Sequence, residues 1–142
     1  MLYTEKTKRA LKLCFEAHKE QKDKSGMPYV FHPFHLAEQM ETEQTVIVAL
    51  LHDVVEDTDY TIEDLTAMGF EKAVTDALTL LTHDDATEYM EYVAAIKNNP
   101  IAKAVKLADL RHNADLSRVD VIDERVLARR EKYLKALALL EE

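Results

Sequence analysis

Two short stretches put ionisable side chains inside otherwise apolar sequence. In Leu50-Leu51-His52-Asp53-Val54-Val55-Glu56-Asp57, four such groups fall within six residues. If one helix runs through to Asp57, His52 and Glu56 stand four apart, as do Asp53 and Asp57, and all share one broad flank. Burying these groups without partners costs several kcal/mol. Two arrangements compensate them: a helix end open to solvent, or a metal ion reached by the adjacent His and Asp. A second stretch, Lys106-Leu107-Ala108-Asp109-Leu110-Arg111-His112-Asn113, sets Asp109 in line with His112 and Asn113 on a helix made apolar by Ala102, Val105, Leu107 and Ala108. Phe31-His32-Pro33 adds an imidazole at a helix entrance. Together His32, His52, Asp53 and Asp109 offer a mixed nitrogen and oxygen shell. Such a shell suits Mn²⁺, Fe²⁺ or Zn²⁺ better than Ca²⁺ and leaves positions for water and substrate.

The elements that must carry these residues read as helices. From Thr4, an N-cap, Leu11, Phe15 and His18 recur at helical spacing to about Gln21. Lys22 to Pro28 (KDKSGMP) is the clearest loop. A second helix is expected from Pro33, which tolerates the first turn, to about Met40. Thr45 to Val55 is nearly all apolar on every side and predicts a central, buried helix. Thr61-Ile62-Glu63-Asp64 resembles a capping box and starts a short helix ended by Gly69. Further helices are expected over Phe70 to Leu81, over Ala86 to Lys97 with Asp84 and Asp85 as caps, over Ile101 to Leu116, and over Asp123 to Leu140. The last is charge-rich, and its outer face suits solvent or a second copy of the chain. The expectation is an all-α bundle of seven or eight helices, with residues 1–142 forming one domain.

Composition agrees. The chain has 142 residues but only 2 Gly and 3 Pro, too few to punctuate a sandwich or barrel. With 47% hydrophobic and 32% charged residues it reads as globular. Its net charge of −9 repels DNA, RNA and anionic lipid, while leaving room for a small anionic ligand screened by a metal or local cations. The lone Cys14 excludes an internal disulfide framework. No apolar run approaches the ~20 residues of a membrane span, and the first ten residues lack a secretory core. A cytoplasmic location is expected.

Combined, these segments resemble a known family. A lone His, an adjacent His-Asp and a later Asp form the pattern of the HD-domain metal-dependent phosphohydrolases. More closely, AHKEQKDKSGMPYVFHP, ALLHDVVEDT and VKLADLRHN resemble, in order, the motifs of the hydrolase domain of RelA/SpoT proteins. The resemblance implies an Mn²⁺-dependent pyrophosphohydrolase that removes the 3′-pyrophosphate of (p)ppGpp. By position it implies His32, His52, Asp53 and Asp109 as metal ligands and Glu56 and Asp57 as the pair serving the attacking water. Lys24, Ser25 and Asn113 fall where the family contacts nucleotide and phosphates. With no synthetase segment after Glu142, the chain resembles the small hydrolase-only branch that includes the metazoan SpoT homologue. Two other readings are an HD phosphohydrolase of another nucleotide mono- or diphosphate, and a non-catalytic nucleotide sensor. The intact Glu56-Asp57 pair speaks against the sensor.

Three positions depart from the family's usual residues. Asp23 stands where an Arg often precedes the Lys. Leu110-Arg111 reverses an Arg-Leu order, moving the guanidinium about 100° around the helix. Asp115 replaces a frequent Arg. These imply a weaker hold on phosphate, and Asp23→Arg is expected to tighten it. His35, His18 and His112 read as supporting residues, and His83-Asp84-Asp85 as a loop. Cys14 reads as a small core hydrophobe, and Tyr29 as a base-stacking or loop-anchoring ring.

Overall fold

The computed structural model describes all 142 residues. Eight α-helices of at least six residues, one four-residue turn of helix and a 3-10 turn account for the regular structure. They are α1 (Glu5–His18), α2 (Phe31–Glu38), α3 (Glu43–Leu51), α4 (Val54–Asp57), α5 (Ile62–Ala67), α6 (Lys72–Leu81), α7 (Tyr89–Ile96), α8 (Pro100–Asn113) and α9 (Glu124–Glu141), with the 3-10 turn at Leu116–Arg118. The one β-type pairing is the isolated bridge between Lys22 and Pro28 that closes the loop.

Caps set most helix starts. Thr4, Thr42 and Thr61 each accept from the backbone N–H three residues on, and the side chain three residues on answers the cap's own N–H. Asp64 thus completes a capping box despite its short side chain. Asn99 and Asp123 cap α8 and α9. Gly69, at φ +93°, ends α5 in the left-handed region.

Helices α1 and α8 end three residues earlier than expected, at His18 and Asn113, and three other boundaries differ for local reasons. Helix α2 begins at Phe31, so Pro33 occupies its third position, where a missing N–H is equally harmless. Helix α7 begins only at Tyr89, capped by Glu88, because Asp84 spends its carboxylate on a turn to the Ala86 N–H. The apolar helix stops at Leu51 instead of reaching Val55. Its stop has a chemical cause: His52 Nδ1 donates to the Ala49 carbonyl at 2.6 Å, taking the acceptor that the Asp53 N–H would have used. Asp53 then sits at φ −106°, ψ 1°, in the sparsely populated bridge region, and starts α4.

Helix α3 is the axle. It packs on α1, α2, α6 and α8, and its run Val46–Leu51 is buried without exception. That burial explains why it shows no polar face. Helix α8 touches α2, α3, α6, α7 and α9, so Asp109 faces the end of α3. No helix is long and apolar enough to cross a membrane. Leu50 is fully buried two residues before His52, and Leu50→Ala should cost about 2–5 kcal/mol in urea unfolding. A loss under about 1 kcal/mol would mean that the axle repacks freely.

Candidate metal centre and its cationic cleft

Each polar side chain at the centre arrives from a different element. His32 comes from the first turn of α2, His52 from the end of α3, Asp53 from the turn before α4, and Asp109 from the middle of α8. His32, His52 and Asp109 are all buried, and one nitrogen or oxygen from each lies within 4.8 Å of the others. Asp109 Oδ1 is 2.9 Å from His32 Nε2 and 3.7 Å from His52 Nε2. Asp53 Oδ2 lies 3.0 Å from His52 Nε2, and the Tyr29 hydroxyl donates to the same carboxylate.

The donor set fits a divalent cation. Because Nδ1 of His52 donates to Ala49, Nε2 of the neutral ring carries the lone pair. That atom is buried and makes no well-aligned hydrogen bond, although two carboxylate oxygens stand near it. A lone pair aimed at carboxylate oxygens is stable only with a cation among them or a proton on the ring. Without metal, burial disfavours the His52 imidazolium, but Asp53 and Asp109 outweigh it and hold the ring well above its ordinary range. Burial also opposes ionisation of Asp53, yet His52 draws its carboxyl down to about 2. Asp109, penalised by burial, is held well below the usual carboxylate range chiefly by Lys106.

Supporting contacts orient these groups. His32 Nδ1 lies 2.7 Å from Nδ1 of His112, and one of the two must donate. Partial burial, Arg118, His32 and His35 depress the His112 imidazole to about 3, and with His32 Nε2 turned to an ion the one ring proton of His32 would sit on Nδ1 and donate to His112. His35 stacks on the outer face of His112, with ring centroids 4.1 Å apart. Lys106 was not singled out from sequence, although a lysine three residues before an aspartate inside an apolar helix is a readable signal. Its Nζ donates to Asp109 Oδ2 at 3.0 Å. Asn113 donates to Asp109 Oδ1 at 2.9 Å, so part of its amide serves the carboxylate.

Glu56 and Asp57 come from α4, beside Asp53, and both are exposed. Neither carboxylate touches the cluster. Glu56 Oε1 accepts the His83 N–H at 2.8 Å, and Gln21 Nε2 donates to the Asp57 carbonyl at 3.2 Å. Partial desolvation, then the nearby Asp53 charge, raises Asp57 above the ordinary carboxylate range. Desolvation likewise raises Glu56, with the His83 N–H opposing it. His83 otherwise bonds the Thr87 carbonyl and stacks near Tyr92. Cys14 is buried, which pushes its thiol up to about 12.

His32, Tyr29 and Asn113 open onto a cleft of about 850 Å³. Six cationic side chains line it (Lys22, Lys24, Arg118, Arg125, Arg129, Arg130) against four acids, Asp23, Asp115, Asp120 and Asp123. Three of those acids are committed to backbone N–H groups. Asp23 accepts from Ser25 and Met27, Asp115 from Ser117, and Asp123 from Val126. Lys22, Lys24, Arg125 and Arg129 form no ion pair, so the cleft is basic in an acidic chain.

This geometry corrects the reading of the departures. Asp23 is a loop clamp whose other oxygen faces Arg118 at 3.9 Å, and an arginine there would lose two backbone bonds and meet like charge. Cations nonetheless line the cleft, from Arg118 and from α9, whose face toward it is neither a simple solvated surface nor visible in the linear sequence. Arg111 points elsewhere and pairs with Glu141 at 3.0 Å. Ser25 lines the cleft, but its Oγ accepts the Asp120 N–H at 3.3 Å and so ties the two loops together.

No family model matches the chain. Comparison with individual proteins is more informative. The chain is 33% identical over 122 residues to a guanosine-3′,5′-bis(diphosphate) 3′-pyrophosphohydrolase of Aquifex aeolicus, covering 78% of this chain and 18% of that protein. It is 36% identical over 118 residues to the Danio rerio guanosine-3′,5′-bis(diphosphate) 3′-pyrophosphohydrolase MESH1, covering 72% of this chain and 64% of that one. The chain therefore spans under a fifth of the long bacterial relatives it first matches and about two thirds of the metazoan one. Among solved structures it superposes on a metazoan orthologue of SpoT that hydrolyses ppGpp, with a TM-score of 0.76, 27% identity, and 99% and 88% of the two chains covered. With these identities and a shared helical fold, the chain belongs to the HD-domain hydrolase family of the RelA/SpoT proteins.

Proposed function

We propose that this chain is a metal-dependent pyrophosphohydrolase that removes the 3′-pyrophosphate of (p)ppGpp. One observation carries the reading most: a buried His/Asp cluster whose His32 opens onto a cleft that is cationic in a chain of net charge −9. A phosphate-rich nucleotide is the ligand such a cleft attracts.

His32, His52, Asp53 and Asp109 would hold the ion, and the mixed nitrogen and oxygen donors favour Mn²⁺, with Fe²⁺ and Zn²⁺ next. When bound, a divalent ion supplies Lewis acidity toward water and a phosphoryl oxygen near neutral pH. The remaining tasks belong to the chain. Glu56 or Asp57, raised above ordinary carboxylates, accepts the proton of the attacking water. Lys24, exposed and unpaired at the cleft rim, holds phosphate, and Asn113 offers its second amide proton to the nucleotide. Tyr29 fixes Asp53, and the His112–His32 bond fixes the imidazole.

Three measurements test this reading. Asp53→Ala should lose nearly all bound metal, and metal uptake by the parent at pH 7 should release about one proton, because His52 must give up its proton to ligate. Calorimetry in buffers of different ionisation enthalpy reads both, and parent-like stoichiometry in Asp53→Ala removes that residue from the shell. Glu56→Gln and Asp57→Asn should retain metal while slowing pyrophosphate release on the order of 10²-fold or more in at least one of them. Undiminished turnover in both would exclude either carboxylate as the base.

Steady-state kinetics on ppGpp give the third measurement. Lys24→Ala should weaken apparent affinity roughly 10- to 100-fold, the scale of a lost charge-assisted phosphate contact. Asp23→Arg should lower thermal stability and fail to tighten ppGpp. Tighter binding in that variant would show that the loop clamp is dispensable. No pyrophosphate release by the Mn²⁺-loaded parent at millimolar ppGpp would overturn the alarmone assignment in favour of another nucleotide.

A further inference from the structure

Lys106 stands out among the groups that the proposed reaction does not use. Its side chain is 11% exposed, and its ammonium lies 3.0 Å from Asp109 Oδ2. It also lies 5.2 Å from the centre of the Tyr92 ring, which is itself anchored by its hydroxyl to the Leu81 carbonyl at 2.7 Å. A buried cation beside a cation-binding centre costs affinity for the ion. Neutralising Asp109 for folding does not require it, since a bound ion would do the same.

The two oxygens of Asp109 have different partners. Oδ1 faces His32 Nε2 at 2.9 Å, the Asn113 amide at 2.9 Å and His52 Nε2 at 3.7 Å. Oδ2 is turned away and held by Lys106. Carboxylates ligate through one oxygen or both, and a free Oδ2 could swing toward the ion. We propose that Lys106 is a positioning residue that confines Asp109 to single-oxygen ligation and gives the loaded centre a net positive charge. The inference rests on the metal-centre reading above. The sum is direct: two neutral imidazoles, two carboxylates and a divalent ion balance to zero, and Lys106 adds +1. A centre with one position left open and a residual positive charge favours a phosphate anion over a further protein oxygen.

This assigns an unusual sign to the loss of Lys106. If the lysine only stabilises the fold, removing it loosens Asp109 and weakens metal binding. If it confines Asp109, removing it frees Oδ2 to ligate and lifts the repulsion, so metal binds more tightly while anions bind less well. Metal-free parent, Lys106→Met, Lys106→Gln and Lys106→Arg would be titrated with Mn²⁺ by calorimetry and with Co²⁺ by visible absorption. Inorganic pyrophosphate would then be titrated onto each Co²⁺-loaded protein.

Lys106→Met and Lys106→Gln should bind Mn²⁺ on the order of tenfold more tightly. In Lys106→Met the Co²⁺ bands should weaken as the coordination number rises, and pyrophosphate affinity should fall several-fold. Lys106→Arg, which keeps charge and stem, should stay within about threefold of the parent. If Lys106→Met does not fold, Lys106→Gln decides. Unchanged or weaker Mn²⁺ binding in the uncharged variants, or an equal tightening in Lys106→Arg, overturns the proposal. All these readouts are binding measurements, so they stand whether or not the parent hydrolyses ppGpp, and that assay alone judges the substrate.

Discussion

A carboxylate buried in the middle of an apolar helix is the constraint around which this molecule is arranged. Asp109 is 6% exposed, and left alone its charge would cost several kcal/mol. Lys106 and Asn113 answer it from the same helix, at three residues before and four after. His32 answers from α2, and His52 lies within reach from the end of α3. These partners must converge, so α2, α3 and α8 have to meet end to flank. The capped starts and the buried α3 axle make that meeting reproducible.

The same constraint explains the break after Leu51. A helix continued to Asp57 would keep His52 and Asp53 on regular positions around the axis. By taking the Ala49 carbonyl, the His52 ring ends α3, fixes its own tautomer and lets Asp53 turn back toward His52. One hydrogen bond therefore ends an element, sets a lone pair and aims a carboxylate. The turn is made by a single residue, near φ −106°, ψ 1°, and it sits where chemistry is proposed.

Charge follows a similar division of labour in the cleft. Acids there are occupied by backbone N–H groups at loop and helix starts, while most of the cations are left unpaired. A chain of strongly negative net charge thereby presents a locally basic cavity. Net charge bears on bulk partners such as nucleic acid and says little about a pocket, where the fate of each charge decides the field.

Much was legible in the residues alone. Scarce Gly and Pro with helical periodicity pointed to an all-α bundle, and Thr4, Thr61 and Asp123 marked helix starts, because these signals act within one turn of the chain. His32, His52, Asp53 and Asp109 were legible because ionisable groups interrupt apolar helices so rarely that each one stands out. Tertiary structure alone decided what each distant partner does. Asp23 became a clamp against Arg118, Ser25 a tie to Asp120, and Arg125, Arg129 and Arg130 the wall of a cleft about a hundred residues from the loop that they face. The reason is physical: caps and periodic faces depend on neighbours three or four positions away, whereas charge pairing depends on distance in space, which the packing of α8 and α9 sets.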